Sequence, residues 1–406
     1  MNDSSSLFSE KNKNQNQVIK LQIGFLELWG IRFVLNYLKN NPASVKFNDP
    51  DSIDLRNIYQ PIKKYIFAVV SLSFLIGFFT TLAIVYIELL LPQSPVVFSK
   101  DFYFKWGINL SSLLFFTGLE FYLLYLVGFY YLAKITNYME LLIHDDPILV
   151  TNNKNILARL ILEIPDHRMN VLNIDPFRFV NKHSLIIQTV IYKLKVFLSN
   201  FLAKLIIRKI LTRSSLRLYA DFIIAPITAI WDGIVAYIIF QEVKQRLFAR
   251  KLAEELFANI AKASTSMDNS SKDLAVRAIA NTIVLNQKFH PNLEFLLLKV
   301  NDLFQDSVRK DIILDDWEYF ISSLAVQDKE TTKFISMLFN FCCALDGKFS
   351  KLESRVIQES EVLSNENNLL QIAEIKMHIL KGNYIEARKF VNISGIQFKN
   401  SDSEWN

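Results

Sequence analysis

The chain has 406 residues, of which 51% are hydrophobic and 13% aromatic, with 33 phenylalanines and a formal net charge of +5. Together with a mean hydropathy of +0.20, this excludes a wholly water-exposed protein, and so mild a charge does not mark a nucleic-acid binder. With only 10 glycines and 10 prolines, a loop-rich β protein is disfavoured and an all-α fold is expected.

Residues 1–16 are polar and rich in Ser, Asn and Lys, which predicts an unstructured tail. No short apolar core with a small-residue cleavage site follows it, so a signal peptide is not expected. Residues 18–38 are mostly apolar but are interrupted by Lys20, Glu27 and Arg32. They predict a peripheral helix lying at an interface or against the spans that follow, with a further crossing as the alternative. Pro42, Pro50 and Pro61 mark a linker, so residues 1–62 read as tail plus peripheral helix.

Residues 65–87 contain no charge, and residues 106–131 are interrupted only by Glu120. A helix needs about 20 apolar residues to cross the hydrocarbon core, and it satisfies its own backbone while doing so. Residues 63–133 therefore predict a two-helix transmembrane hairpin. Lys63 and Lys64 precede it and Lys134 follows it, which puts both outer ends on the cytoplasmic side. Tyr65, Trp106, Tyr130 and Tyr131 stand where aromatic belts form. Glu120, deep in the second span, is the intramembrane polar candidate. It predicts either a hydrogen bond to Ser71, Ser73, Thr80 or Thr81 of the facing helix or an ion-conducting role, and it also suits contact with its copy in a homo-oligomer.

Residues 134–184 predict a cytoplasmic connector whose Pro165 and Pro176 close apolar runs. His144 and His167 stand beside aspartates, but no second histidine lies at ligand spacing. Residues 185–211 place Ile187, Ile191, Leu194, Leu198 and Leu205 on one arc and polar residues on the other, which predicts an amphipathic helix lying in the interface. Lys193, Lys204, Arg208 and Lys209 would face anionic headgroups. Residues 218–240 are again long and apolar, with Pro226 inside and basic residues on both flanks. They predict a re-entrant hairpin broken at the proline or a third membrane segment. Across 185–251 there are 11 Lys/Arg against 3 Asp/Glu. These bases flank apolar runs and do not alternate with exposed aromatics, so no nucleic-acid partner is expected.

From residue 242 the chain becomes soluble in character, and 270–392 predicts a helical domain followed by a tail, 393–406. Two copies of one pattern stand in it: Leu285-Asn-Gln-Lys-Phe-His-Pro-Asn-Leu-Glu294 and Leu345-Asp-Gly-Lys-Phe-Ser-Lys-Leu-Glu353. Asp346-Gly347 supplies a positive φ to end one helix. Ser350 and Glu353 then form a capping box for the next, and Pro291 fits the first helical position in the other copy. The repeated apolar helix, Asp-Gly-x-apolar-Ser/Thr-x-x-Glu turn and second helix resembles the TerB-like domain of tellurite-resistance and other stress-related proteins. The resemblance is confined to residues 274–391. It implies an all-helical interaction domain and a divalent cation at Asp346 and Glu353, although Asn286 replaces the acid in the first copy. The 218–260 stretch is similar to segments that some bacterial membrane proteins place before a helical domain. An EF-hand loop is not expected, because Cys342 and Ala344 would occupy two of its ligand positions.

Cys342 and Cys343 are adjacent on a helical run and form no disulfide framework. Phosphate-loop, nucleophile-elbow and zinc-protease signatures do not occur, so no catalytic residues and no organic cofactor are expected. The reading that results is a multi-pass protein of the bacterial inner membrane, with both termini cytoplasmic, acting as a scaffold for a cytoplasmic TerB-like domain. Its expected partners are the bilayer with its anionic lipids, a protein bound through the C-terminal domain, and further copies of itself. The alternative is an oligomeric channel or transporter that uses Glu120.

Overall fold

The computed structural model describes residues 25–41, 56–91, 100–139, 161–162, 172, 174, 217–287, 290–309, 313–347, 349–360, 362–364 and 366–393. Among them there are helices and no strand. The membrane-sized part consists of α1 (Phe25–Asn40), α2 (Arg56–Leu90), α3 (Lys100–Met139) and α4 (Arg217–Ala263). The C-terminal unit adds α5 (Asn269–Leu285), α6 (Pro291–Leu303), α7 (Trp317–Ala325), α8 (Lys329–Ala344), α9 (Lys351–Glu359), α10 (Glu366–Lys381) and α11 (Tyr384–Arg388), then a 3-10 turn, Lys389–Val391.

Three helices, over Gln60–Ile87, Tyr103–Tyr138 and Ala225–Ala263, are long and apolar enough to cross a membrane. Helices α2 and α3 form the expected antiparallel hairpin. At its basic end the Lys134 ammonium stands 4.5 Å from the centroid of the Tyr130 ring and 5.6 Å from that of Tyr65, so its charge lies among aromatic faces. Helix α1 packs on α3 through Trp29 against Phe129 and Tyr37 against Tyr130, which matches the peripheral helix expected there. Gly30 is needed at this contact, since a Cβ would lie 2.2 Å from the Phe129 ring.

The third long helix departs from one of the two expectations. Pro226 lies inside α4 and the helix continues through it, so the chain does not turn back at the proline. Proline removes one backbone donor, and helices in apolar surroundings absorb that loss when neighbours hold them. The neighbour is α2. Ala225, Ala229 and Gly233 recur every four residues on α4 and let the two backbones approach closely. A Cβ at Gly233 would lie 3.7 Å from Val70 Cγ1, and one at Gly77 would lie 3.4 Å from Ala229 Cα.

Helix α4 also leaves the bundle without a break. Its 47 residues extend about 70 Å, more than the roughly 40–45 Å of a bilayer with its headgroups. Val243, Leu247, Leu252, Leu256 and Ile260 on its second half are buried with the core of the C-terminal unit. That unit therefore includes the last third of α4, and a short turn, 264–268, joins α4 to α5. Helix α5 is buried along nearly its whole length and is surrounded by α6, α7 and α8.

The described residues of the two turns agree at the position that ends the first helix. Gly347 has φ +70 and Gln287, at the equivalent place, has φ 53. Pro291 begins α6 and Ser350 caps α9 in a complete capping box.

Candidate functional site

Most of the chemistry inside the apolar bundle lies in one layer across α2. Thr80 and Thr81 are consecutive, so they point about 100° apart and reach different neighbours. Thr80 Oγ1 lies 2.7 Å from Glu120 Oε2 on α3. Thr81 Oγ1 lies 2.9 Å from Thr228 Oγ1 on α4. Thr228 also donates to the Ala225 carbonyl at 3.0 Å, which leaves it to accept from Thr81. Of the four expected partners for Glu120, Thr80 stands at hydrogen-bond distance.

Glu120 is 1% exposed. The Thr80 hydroxyl has one proton, and the Ile76 carbonyl stands 2.8 Å away as a second acceptor. The contact can therefore be made in two ways. A carboxylate can accept from Thr80, or a carboxylic acid can donate to Thr80 while Thr80 donates to Ile76. Both forms keep the same heavy-atom positions.

One turn earlier on α2, a second acid faces the helix. Asp232 of α4 is 3% exposed, and its Oδ2 lies 1.9 Å from where a Gly77 Cβ would be. Gly77 is thus the seat for this carboxyl group. Neither Asp232 nor Gly77 is marked as a site residue by its neighbours in the sequence. Periodicity alone carried the signal, because an acid on the same helical stripe as Ala225 and Ala229 has to face a neighbour. Thr117 on α3, one turn from Glu120, is also buried.

The second group of candidate residues lies in the C-terminal unit. Glu353 is 0% exposed. Its Oε2 accepts from Ser350 N at 2.5 Å, while Ser350 Oγ accepts from Glu353 N at 3.0 Å. Among the described residues Glu353 Oε1, which is buried, has no hydrogen-bond partner. Burial pushes the Glu353 carboxyl up to about 7, against the opposing effect of the Ser350 hydrogen bonds, and the charge of Asp346 adds to the rise. Asp346 is only half-buried, at the end of α8. Among the described residues no group of three His, Cys, Asp or Glu side chains is arranged to hold a metal ion. Asp316 is occupied as the N-cap of α7, and Asp315 is buried. Cys342 and Cys343 are fully buried. Burial pushes both thiols up, and the Glu353 charge raises Cys343 further, which makes them poor nucleophiles.

Other polar contacts hold the frame. Glu255 of α4 accepts from Tyr384 Oη at 2.5 Å and from Arg388 Nε at 3.1 Å, which fastens α11 to α4. The fully buried Arg277 donates to Asp273 at 2.7 Å and to the Ile313 carbonyl at 2.7 Å, fixing the loop between α6 and α7.

Lys193, Lys204, Arg208 and Lys209, like His144 and His167, lie outside the described residues. Comparison with protein-family models, with curated proteins and with solved structures returns no match, so the function is argued from the chain's own chemistry.

Proposed function

We propose that this chain is an integral membrane scaffold that holds a helical, TerB-like interaction domain at a fixed height and orientation on the cytoplasmic face of the bacterial inner membrane. The observation that carries the reading is α4. One end lies against α2 through Thr228, Asp232 and Gly77, and the other lies in the core of the C-terminal unit through Glu255, Tyr384 and Arg388. A helix shared by two bodies leaves no flexible linker between them, as suits a platform for a partner. The exposed lysines Lys63 and Lys64 mark the face toward anionic headgroups, and both termini belong on that side. Asp346 and Glu353 are the residues that the resemblance implies for a divalent cation. No catalytic role is assigned.

Two acids in one apolar bundle, Glu120 and Asp232, support a second reading, an oligomeric proton or cation carrier. Purified protein in liposomes separates the two. The scaffold predicts no flux under a pH or cation gradient, and unchanged assembly for Glu120→Gln. Flux that Glu120→Gln abolishes while the protein stays folded would replace the scaffold with the carrier. The scaffold also predicts that photocross-linkers at the exposed Val326 and Leu370, in native membranes, give one discrete adduct, whereas no adduct or an unresolved smear at both positions would count against it.

A further inference from the structure

A groove of about 540 Å³ follows the contact of α2 with α4, which is within the size range of ligand sites. Val70 and Phe74 of α2 line it, and a Cβ on Gly233 of α4 would lie 3.7 Å from Val70 and 3.8 Å from Phe74. Ile230, Ile234 and Tyr237 stand at its rim, each about half exposed. Val70 lies beside Gly233 and Thr81 meets Thr228, so α2 and α4 are antiparallel. From the Val70–Gly233 contact toward the basic end, Lys63 lies about 10 Å away along α2 and Lys244 about 16 Å along α4. Lys63 is two helical turns from Val70, and Lys244 is two turns from Tyr237. Both lysines therefore stand on the stripes that wall the groove, one on each helix.

Lys63 is exposed and Lys244 is 4% exposed, and the charge of Lys63 acts on Lys244 across the gap. Glu242, the carboxylate nearest to Lys244 in the sequence, is held by Arg246 at 2.8 Å. The C-terminal unit begins just beyond. Asn292 Nδ2 donates to the Arg246 carbonyl at 3.0 Å, and a Cβ on Gly347 would lie 3.7 Å from Gln245 Oε1. The two lysines thus sit at the joint between the bundle and the C-terminal unit. We propose that the groove holds one anionic phospholipid, with an acyl chain along Gly233 and the phosphate between Lys63 and Lys244. The inference rests on the membrane reading of the bundle. Two like charges on facing walls repel, and a phosphate between them replaces that repulsion with two attractions. A free phosphate would use the lysines alone, and a zwitterionic lipid would leave their charge uncompensated. An anionic lipid uses both halves of the site.

The full-length protein in mild detergent, titrated with phosphatidylglycerol and followed by native mass spectrometry, tests this. The expected result is one phosphatidylglycerol per chain, held more tightly than phosphatidylcholine of the same chain length and not displaced by inorganic phosphate. Lys63→Gln and Lys244→Gln should each weaken it about fivefold, the effect of one basic residue beside an anionic headgroup. Lys262→Gln removes the same charge from the far end of α4 and should leave binding unchanged. Gly233→Leu should fill the groove and remove the lipid, and Lys63→Gln, at an exposed position, keeps the test decisive if Gly233→Leu does not fold. Equal retention of the two lipids, or equal effects of Lys63→Gln and Lys262→Gln, would overturn the site. Displacement by inorganic phosphate, or full retention by folded Gly233→Leu, would show an anion held without its acyl chain and would overturn the lipid assignment. In each of these cases the membrane reading stands. Release of the chain from native membranes by alkaline carbonate would instead remove the membrane reading, and the site with it.

Discussion

Glu353 shows how one buried side chain serves as both a structural cap and a titratable group. Its carboxyl is about 7 in the folded chain against 4.5 in the ordinary case. An acid whose folded value is raised binds a proton more tightly when folded. It contributes stability fully present below about pH 4.5, and that contribution is lost as pH rises to about 7. The difference corresponds to about 3 kcal/mol. Thermal melts of the detergent-solubilised protein should show wild type losing stability over that window relative to Glu353→Gln, with a constant difference above it. Parallel profiles across the window would show that the buried carboxyl does not carry this linkage. Ser350→Ala removes the oxygen that accepts from Glu353 N and should lower stability by about 1 kcal/mol in the same assay. Arg277→Ala should cost more, about 3–5 kcal/mol, because it leaves the buried Asp273 carboxylate without its partner. Urea unfolding followed by the fluorescence of Trp317 reads this variant directly.

At the scale of the element, α4 accounts for most of what the sequence hid. The hairpin α2–α3, the capping box at Ser350, the positive φ at Gly347 and the start of α6 at Pro291 were legible because each is written in neighbouring residues. Charge-free length gives a span, and a Ser-x-x-Glu spacing gives a cap. The continuity of α4 was not legible, because Pro226 and the polar shift after residue 240 both read locally as boundaries. They are overridden by packing against residues distant in the chain, Gly77 and Val70 on one side and Tyr384 on the other. The seat of Asp232 was hidden for the same reason, since only the fold reveals that a glycine faces it. Gly77→Val tests that seat. Its side chain would overlap Asp232 Oδ2 and should destabilise the bundle by about 1–3 kcal/mol, the usual range for overpacking. Adding Asp232→Ala should recover much of that loss, and a double-mutant cycle measures the coupling. Additive losses would mean that the two residues do not share the contact.

Across the described residues an apolar bundle stands at one end and a helical domain at the other, with α4 common to both. Nothing in the C-terminal core could reorient against α2 without bending that helix or breaking the contacts of Glu255. Pulsed electron paramagnetic resonance between spin labels at Ile230→Cys and Lys262→Cys, both on exposed positions of α4, tests this most directly in lipid nanodiscs. At 1.5 Å per residue the two backbone positions lie about 48 Å apart. The account predicts a single narrow distance distribution near that value, allowing for the label arms. A broad distribution, or one centred well below it, would show a hinge between the bundle and the C-terminal unit and would contradict the rigid platform.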